Sequence, residues 1–394
     1  MIRITPYYEF EREKQEEILD RYLRMVADSV PFFPEDVLYD RNEKVTDRMR
    51  KPRKRTRKYE SKMKDYFTSW PPEEDSADEE RKNDAVLAEK IIEKYSPDLH
   101  KKLYNGHSDG HVDHKMLRAL LTVCMPGGVL KDFVFKNVKG PRDPVSKDML
   151  KYVFRYDAFS SHKDIYKLID MLGVKICPYC NRQFITTFTS QDADPKDKKP
   201  LPKTRPQLDH FKVKSKYPYL ALSINNLIPS CGVCNHMKGE RDDETLYPYS
   251  EGMGEKFKFK TDIPEQKIVE VLTGARIAPE LFNIILDCAD KQIDNAYQKR
   301  VEASMKVFAL KGLYQSHKEY VSDMYFQRYI VTEKMVDSIM EQFGGMFHSR
   351  DEVRQALLMM NTSADALGNR PLAKLTKDIK DEIDDYYSRI RPRE

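Results

Sequence analysis

The chain has 394 residues, enough for two or three domains of roughly 150 residues each. Its 34% charged residues and mean hydropathy of −0.70 are polar for a folded protein, yet its 40% hydrophobic and 11% aromatic residues exceed the content of disordered chains, so we expect a folded, soluble protein. No apolar run approaches the roughly 18 residues of a membrane helix, and the opening MIRITPYYEF lacks the apolar core of a secretion signal. We therefore expect a cytoplasmic protein without membrane contact.

Helical patterns dominate the N-terminal region, residues 1–173. Apolar residues at helical spacing predict a helix over residues 9–30 that ends before Pro31. A second apolar stripe predicts a helix over residues 165–172, with Gly173 placed to cap its C-terminus. This part of the chain is expected to be helical.

A charged, proline-interrupted segment from about 40 to 85 predicts a linker or arm. Residues 48–64 hold ten basic side chains and one acid, and this density can follow a phosphate backbone. The basic residues that we assign to DNA contact are Arg53, Lys54, Arg55 and Arg57. The alternative is a solvated basic face that balances the acidic segment 73–84, because the net charge of the chain is only +4.

The residue composition of the sequence changes after Gly173. The segment VKICPYCNRQFITTF is rich in β-branched and aromatic residues around a paired-cysteine turn, which predicts a hairpin. Prolines among lysines predict an exposed loop over 189–206. Residues 251–394 are expected to form a C-terminal bundle of long helices, because no proline occurs between Pro279 and Pro371.

Four of the six cysteines form two C-x2-C pairs, and 50 residues separate the pairs. Two such pairs can supply four thiolates to one tetrahedral Zn²⁺, and the reducing cytoplasm disfavours disulfides. The predicted ligands are Cys177, Cys180, Cys231 and Cys234. With all four positions taken by cysteine, this zinc has no open position for water and is expected to be structural. Cys124 and Cys288 are expected to be core residues.

The segment between the cysteine pairs contains the residues that can carry chemistry. His210 is the side chain with an ordinary pKa near neutrality that follows a carboxylate, which makes it the natural general base. Asp209 and Asn235 offer the hard oxygen ligands that Mg²⁺ or Mn²⁺ prefers. Phosphodiester hydrolysis needs such a base together with neutralisation of the charge that develops on the phosphate.

Residues 174–242 resemble the HNH endonuclease family. The matching motifs are Asp209-His210, Asn226-Leu227 sixteen positions later, and Asn235 directly after the second cysteine pair. The third motif residue is asparagine here, an HNN variant. The resemblance implies a zinc-stabilised, treble-clef-like ββα-metal module at 174–250 between helical flanks, within an α+β and mostly α-helical fold. It also implies a catalytic metal bridging the scissile phosphate and leaving oxygen, and a positioning role for Asn226.

Three further features are open to two interpretations. Lys238 lies three residues after Asn235 on the predicted helix, where it could contact a phosphate or be an ordinary surface lysine. His236 ranks below Asn235 as a ligand, because adjacent helical side chains diverge by about 100°. The segment HSDGHVDH, which begins at His107, could bind a transition metal but is better explained as a polar loop between helices.

The motifs predict a metal-dependent DNA endonuclease. The helical flanks and the late NRPLAKLTKD segment resemble HNH nucleases of bacterial anti-phage systems, including the Septu type that works with an ATPase partner. Two alternatives are a zinc-stabilised DNA-binding module that does not cleave and an RNA-cutting toxin that uses the same chemistry. The recognition sequence, strand choice and oligomeric state are not encoded in a legible motif.

Overall fold

A computed structural model describes residues 1–29, 156–189, 203–217, 220–290, 292–343, 345–358 and 367–390. The proposed DNA-contact residues Arg53, Lys54, Arg55 and Arg57 lie outside these ranges, as do the HSDGHVDH segment and Cys124. The described part of the chain is a mixed structure of many helices and three two-stranded sheets. None of its helices is both long enough and apolar enough to cross a membrane.

The chain divides into two compact units that are discontinuous in sequence. Unit 1 contains Met1–Ile4, Val174–Thr186 and Ser230–Glu394. Unit 2 contains Thr5–Gly173 and Thr187–Pro229. Elements are numbered below in chain order over the described residues.

Three helices of unit 2 form its apolar centre. They are α1 (Arg12–Ser29), α2 (Tyr156–Ser160) and α3 (Ile165–Met171). Tyr22 of α1 is fully buried, packs edge-on against the Phe159 ring at 6.0 Å and donates a hydrogen bond to the Leu222 carbonyl at 2.7 Å. α1 and α3 confirm the two helices predicted in this region, and Gly173 follows α3 with a φ of +68°, which suits a glycine.

Four short strands follow within and at the edge of unit 2. They are β1 (Phe188–Thr189), β2 (Lys203–Thr204), β3 (Gln207–His210) and β4 (Leu227–Ser230). β1 pairs antiparallel with β2, and β3 pairs with β4. The predicted loop over 189–206 is thus bounded by a strand pair in the structure. Immediately after β4 the chain enters α4 (Gly232–Lys238).

Unit 1 has its own sheet, which the sequence analysis did not predict. The region assigned to a helical bundle begins with β5 (Phe257–Thr261), α5 (Glu265–Leu272) and β6 (Ile284–Cys288). β5 and β6 pair antiparallel, with Phe259 opposite Leu286. The expectation that Cys288 is a core residue is wrong, because it ends β6 and is exposed to solvent.

The remaining elements of unit 1 are helices, as the proline-free sequence predicts. They are α6 (Asn295–Val307), α7 (Leu310–Gln315), α8 (Lys318–Ile330), α9 (Glu333–Phe343), α10 (Arg350–Leu358) and α11 (Ala373–Ile390). The Asp294 side chain caps α6 by accepting hydrogen bonds from the Ala296 and Tyr297 N–H groups. Each of these helices contributes buried apolar side chains to unit 1.

Carboxylates of α11 cover one edge of β5. The Phe259 N–H donates to Asp378 Oδ2 at 2.8 Å, and the Thr261 N–H donates to Glu382 Oε1 at 3.0 Å. Two residues along the strand and four residues along the helix span similar lengths. The two N–H groups therefore align with the two carboxylates without distortion of either element. Asp378 is also paired with Lys374, and both side chains of this pair are buried. The helix therefore satisfies strand N–H groups that would otherwise need a third strand.

Candidate functional site

The first cysteine pair lies on a tight hairpin in unit 1, as predicted. Ile176 and Phe184 form an antiparallel bridge, and the Cys177 N–H donates to the Gln183 carbonyl at 3.0 Å. The Arg182 N–H donates to Cys180 Sγ at 3.4 Å. The turn therefore directs a backbone N–H group at a cysteine sulfur, an interaction that favours the thiolate form.

The second cysteine pair lies at the start of α4. Cys231 is the N-cap residue of this helix, and its Sγ accepts a hydrogen bond from the Cys234 N–H at 3.4 Å. A helix N-terminus favours negative charge on its cap. Each cysteine pair thus has one sulfur atom that accepts a hydrogen bond from a backbone N–H.

The four cysteines converge on one point. Their Sγ atoms all lie within 4.8 Å of one another, and Cys180 Sγ and Cys231 Sγ are 4.0 Å apart. A tetrahedron with Zn–S bonds of about 2.3 Å has sulfur atoms about 3.8 Å apart, so the arrangement fits Zn²⁺. All four side chains are buried. The cluster could therefore hold a structural metal such as zinc, and it is the one metal-type group of His, Cys, Asp or Glu side chains within the described ranges.

The electrostatics of the cluster also favour a cation. Burial raises the pKa of Cys177, whereas hydrogen bonds from the other thiols, that from Cys177 foremost, lower the pKa of Cys231. Buried thiols this close cannot all ionise without a compensating positive charge. A divalent metal supplies that charge and allows all four sulfurs to act as ligands.

Asn181, which sequence reasoning missed, fastens the first cysteine turn to α11. It has a φ of +51°, and its backbone carbonyl accepts a hydrogen bond from the Leu372 N–H at 2.6 Å. Its side chain accepts from the Lys374 N–H at 3.0 Å and donates to the Leu367 carbonyl at 2.8 Å. An asparagine directly after a C-x2-C pair suits this left-handed position, and that was the available signal.

His210 lies in unit 2 at the end of β3 and is half-buried. Its Nε2 atom is 2.9 Å from the Ala221 carbonyl oxygen. Its ring packs edge-on against the Tyr156 ring, with centroids 4.4 Å apart. Tyr156 in turn donates a hydrogen bond to the Leu208 carbonyl at 3.3 Å. The imidazole is therefore held by contacts on two sides.

Asp209 precedes His210 in β3 and is more deeply buried. It is 3% exposed, whereas His210 is partly open to solvent. Consecutive side chains of a strand point to opposite faces, which accounts for the difference. A buried carboxylate requires a compensating partner, and a hydrogen-bond donor or a cation can fill this role.

Asn226 holds the loop between β3 and β4. Its Oδ1 accepts a hydrogen bond from the Lys212 N–H at 2.7 Å, and its Nδ2 donates to the carbonyls of Lys212 at 2.9 Å and Leu220 at 3.1 Å. The side chain is fully buried. These bonds join the start and end of the loop that leads from His210 to Ala221. The side chain of Asn226 therefore fastens this loop.

Asn235, His236 and Lys238 lie on α4 in unit 1. Asn235 is half-buried and its N–H donates to the Cys231 carbonyl at 3.0 Å, whereas His236 is exposed. Lys238 is 3% exposed, so it is not an ordinary surface lysine. The cysteine cluster and α4 therefore belong to unit 1, while Asp209, His210 and Asn226 are grouped in unit 2.

Tyr156 is a site residue that the sequence did not reveal. It lies 54 positions before His210 at the start of α2, and no motif surrounds it. Burial raises its pKa to about 12, so the hydroxyl stays protonated and remains a donor at neutral pH. Only the packing of α2 against β3 brings the two rings together.

Comparison of the chain with family models, with curated proteins and with solved structures gave no match in any of the three. The functional assignment therefore rests on the sequence motifs and on the geometry described above.

Proposed function

We propose that the protein is a metal-dependent endonuclease of HNH type that hydrolyses phosphodiester bonds in DNA. The observation that carries the proposal is the setting of His210, which is half-buried, held by the Ala221 carbonyl at 2.9 Å and adjacent in sequence to the buried Asp209. A histidine held in one orientation and partly open to solvent suits the abstraction of a proton from water.

His210 acts as the general base in this proposal. A carbonyl oxygen can only accept a hydrogen bond, so Nε2 carries the ring proton in the bond to Ala221. The lone pair of the neutral imidazole then lies on Nδ1. That nitrogen takes a proton from water, whose oxygen forms a bond to phosphorus while the bond from phosphorus to the leaving 3′ oxygen breaks.

By the sequence resemblance, Asp209 and Asn235 are the residues assigned to Mg²⁺ or Mn²⁺, and each has a side-chain oxygen of the kind that these ions prefer. Such an ion, when bound, neutralises charge on the phosphate and stabilises the leaving oxygen. Asn226 keeps the His210 loop in place through three buried hydrogen bonds. The four cysteines hold zinc and stabilise the surrounding fold, with no part in the chemistry.

The sequence resemblance also suggests a biological role for the protein. On that basis we assign the protein to a bacterial anti-phage defence system, as the nuclease effector, with an ATPase as its partner. In such a pair the partner detects infection, and His210, Asp209 and Asn235 carry out the cut.

The decisive experiment incubates the purified protein with supercoiled plasmid, duplex DNA, single strands and RNA in Mg²⁺, Mn²⁺ or EDTA. We expect metal-dependent cleavage of DNA, and a rate about 10²–10⁴-fold lower for His210→Ala. His348→Ala is the matched control, because His348 is exposed and lies in unit 1. Equal cutting by wild type and His210→Ala contradicts the proposal. Binding without cutting favours the non-cleaving module, and cleavage of RNA alone favours the toxin.

Two further variants test the metal ligands. Asp209→Ala and Asn235→Ala should lose activity, and excess Mn²⁺ should partly restore it if these oxygens bind the ion. The control is His236→Ala, the exposed neighbour of Asn235, which should retain activity. Loss of cutting in His236→Ala with retention in Asn235→Ala would exchange the two assignments.

A further inference from the structure

Cationic side chains lie over two aromatic rings of unit 2. Lys203 Nζ lies 5.2 Å and Arg205 Cζ lies 5.8 Å from the centroid of the Tyr166 ring. Lys214 Nζ lies 4.7 Å from the centroid of the Tyr156 ring. Cation–π contacts of this length hold the charged groups near the rings while leaving N–H donors for another partner.

These three cations have no acidic partner within the described ranges. None forms an ion pair with a carboxylate there, and Lys203 and Lys214 are exposed. Residues 203–217 hold five basic side chains and one acid, Asp209. The positive charge of this segment is therefore not neutralised by its own sequence, and it favours an anionic ligand.

Arg205 is fixed more firmly than the two lysines. Its Nη1 donates to the Pro206 carbonyl and its Nη2 to the Ser160 carbonyl, both at 3.1 Å. Two of five N–H donors are used, and carbonyl oxygens do not cancel the charge. Arg205 therefore links the β2–β3 segment to α2 and presents a cation in a fixed position.

The positive surface extends to His210. Lys214 and His210 contact the same Tyr156 ring, at 4.7 Å and 4.4 Å from its centroid. An anion bound by Lys214 would lie next to the side chain proposed as the general base. A chain of phosphates is a ligand with several negative charges, which can engage more than one of these cations.

We infer that Lys203, Arg205 and Lys214 form a surface that binds the phosphodiester backbone of duplex DNA beside His210. The inference rests on the proposed nuclease function, for which it supplies the substrate contacts in unit 2. The cations are expected to bind phosphates rather than read bases, because their positive charge matches the phosphate backbone that every DNA sequence shares. Affinity should accordingly depend on salt and little on sequence.

The test measures DNA binding without added Mg²⁺ or Mn²⁺, so that cleavage does not occur, with a fluorescent duplex at several salt concentrations. The variant is Lys203→Gln with Lys214→Gln, which leaves the Arg205 hydrogen bonds intact. Loss of two phosphate contacts should reduce the slope of log K against log salt by about 1.8. At 0.1 M salt we expect affinity to fall at least about tenfold. Two unrelated duplexes should give the same change.

The matched control is Lys299→Gln with Lys334→Gln. Both lysines are exposed, lie in unit 1 and make no ion pair within the described ranges, so the net charge changes equally. The control should bind as wild type does, and Lys203→Arg with Lys214→Arg should keep the wild-type slope. Overlapping slopes for wild type and the glutamine variant, or an equal loss in the control, would overturn the inference. Unchanged DNA affinity with loss of binding to an acidic peptide would assign the surface to a protein partner.

The DNA-binding surface and the nuclease activity can be tested independently of each other. A wild type that binds DNA through these lysines but never cuts it with Mg²⁺ or Mn²⁺ supports the surface and contradicts the nuclease. A wild type that cuts DNA while the glutamine variant binds equally well supports the nuclease and overturns the surface.

Discussion

The Nε2 atom of His210 lies 2.9 Å from the backbone carbonyl oxygen of Ala221, eleven residues later in the chain. Because the acceptor is a main-chain atom, no single substitution at position 221 removes it, and the orientation of the imidazole depends on the path of the loop. The loop is itself fixed by Asn226. The geometry of the proposed base is thus a property of the whole β3–β4 segment.

Replacement of Asn226 by alanine should destabilise unit 2. The change removes three buried hydrogen bonds and leaves the Lys212 N–H without its acceptor, which costs about 3 kcal/mol. Faster amide hydrogen exchange across residues 211–220 is the measurement. Asn295→Ala, at the exposed start of α6, is the control and should stay within about 0.5 kcal/mol of wild type. Unchanged exchange in the Asn226 variant would contradict the positioning role.

Tyr156 should act through its ring rather than its hydroxyl. Tyr156→Leu removes the edge contact with His210 and should lower kcat about tenfold or more, because a small displacement of a catalytic group has a large effect on rate. Tyr156→Phe keeps the ring and loses only the 3.3 Å hydrogen bond to Leu208, so its kcat should stay within about twofold of wild type. Plasmid cleavage at saturating DNA separates the two variants. Equal kcat for both would show that the ring contact is unimportant.

Substitution of a cysteine in the metal cluster should have a different effect from substitution of the exposed Cys288. Cys177→Ser or Cys234→Ser should release zinc and unfold the surrounding part of unit 1, because structural zinc contributes roughly 10–16 kcal/mol of apparent binding free energy in small sites. Cys288→Ser, at an exposed strand end, should keep both metal content and melting temperature. Elemental analysis and thermal melting are the measurements. Stoichiometric zinc with a sharp melting transition in Cys177→Ser would refute the four-cysteine site.

Glu382 should make unit 1 less stable as the pH rises toward neutrality. Burial raises its pKa from 4.5 to about 7, so the folded protein keeps a proton that the unfolded chain has already lost. The sign follows from linkage: the free energy of unfolding falls between pH 4.5 and 7, by about 3 kcal/mol from this group.

The measurement is chemical denaturation at pH 5 and pH 8. Glu382→Gln cannot ionise but still offers an acceptor to the Thr261 N–H, so it should show a smaller decrease than wild type. Glu341→Gln, at an exposed position of α9, should show the same change in stability between pH 5 and pH 8 as wild type. Parallel pH profiles for wild type and Glu382→Gln would exclude a titrating Glu382.

The sequence by itself determined the features that depend on local spacing. Apolar residues at helical intervals predicted α1 and α3, because the period of a helix is visible within a short window. The two C-x2-C pairs predicted a four-cysteine cluster, since each pair forms its own turn and a metal needs four ligands. The motif residues from Asp209 to Asn235 predicted a nuclease, and that prediction awaits the cleavage experiment.

Only the tertiary structure decided which distant residues meet. The contact between Tyr156 and His210 spans 54 positions, and the anchoring of Asn181 by Lys374 spans 193. The burial of Lys238 and the exposure of Cys288 also depend on which elements pack above them. Residue type and spacing record local preference, whereas burial and long-range pairing depend on the arrangement of the whole chain, and a short sequence window does not contain that information.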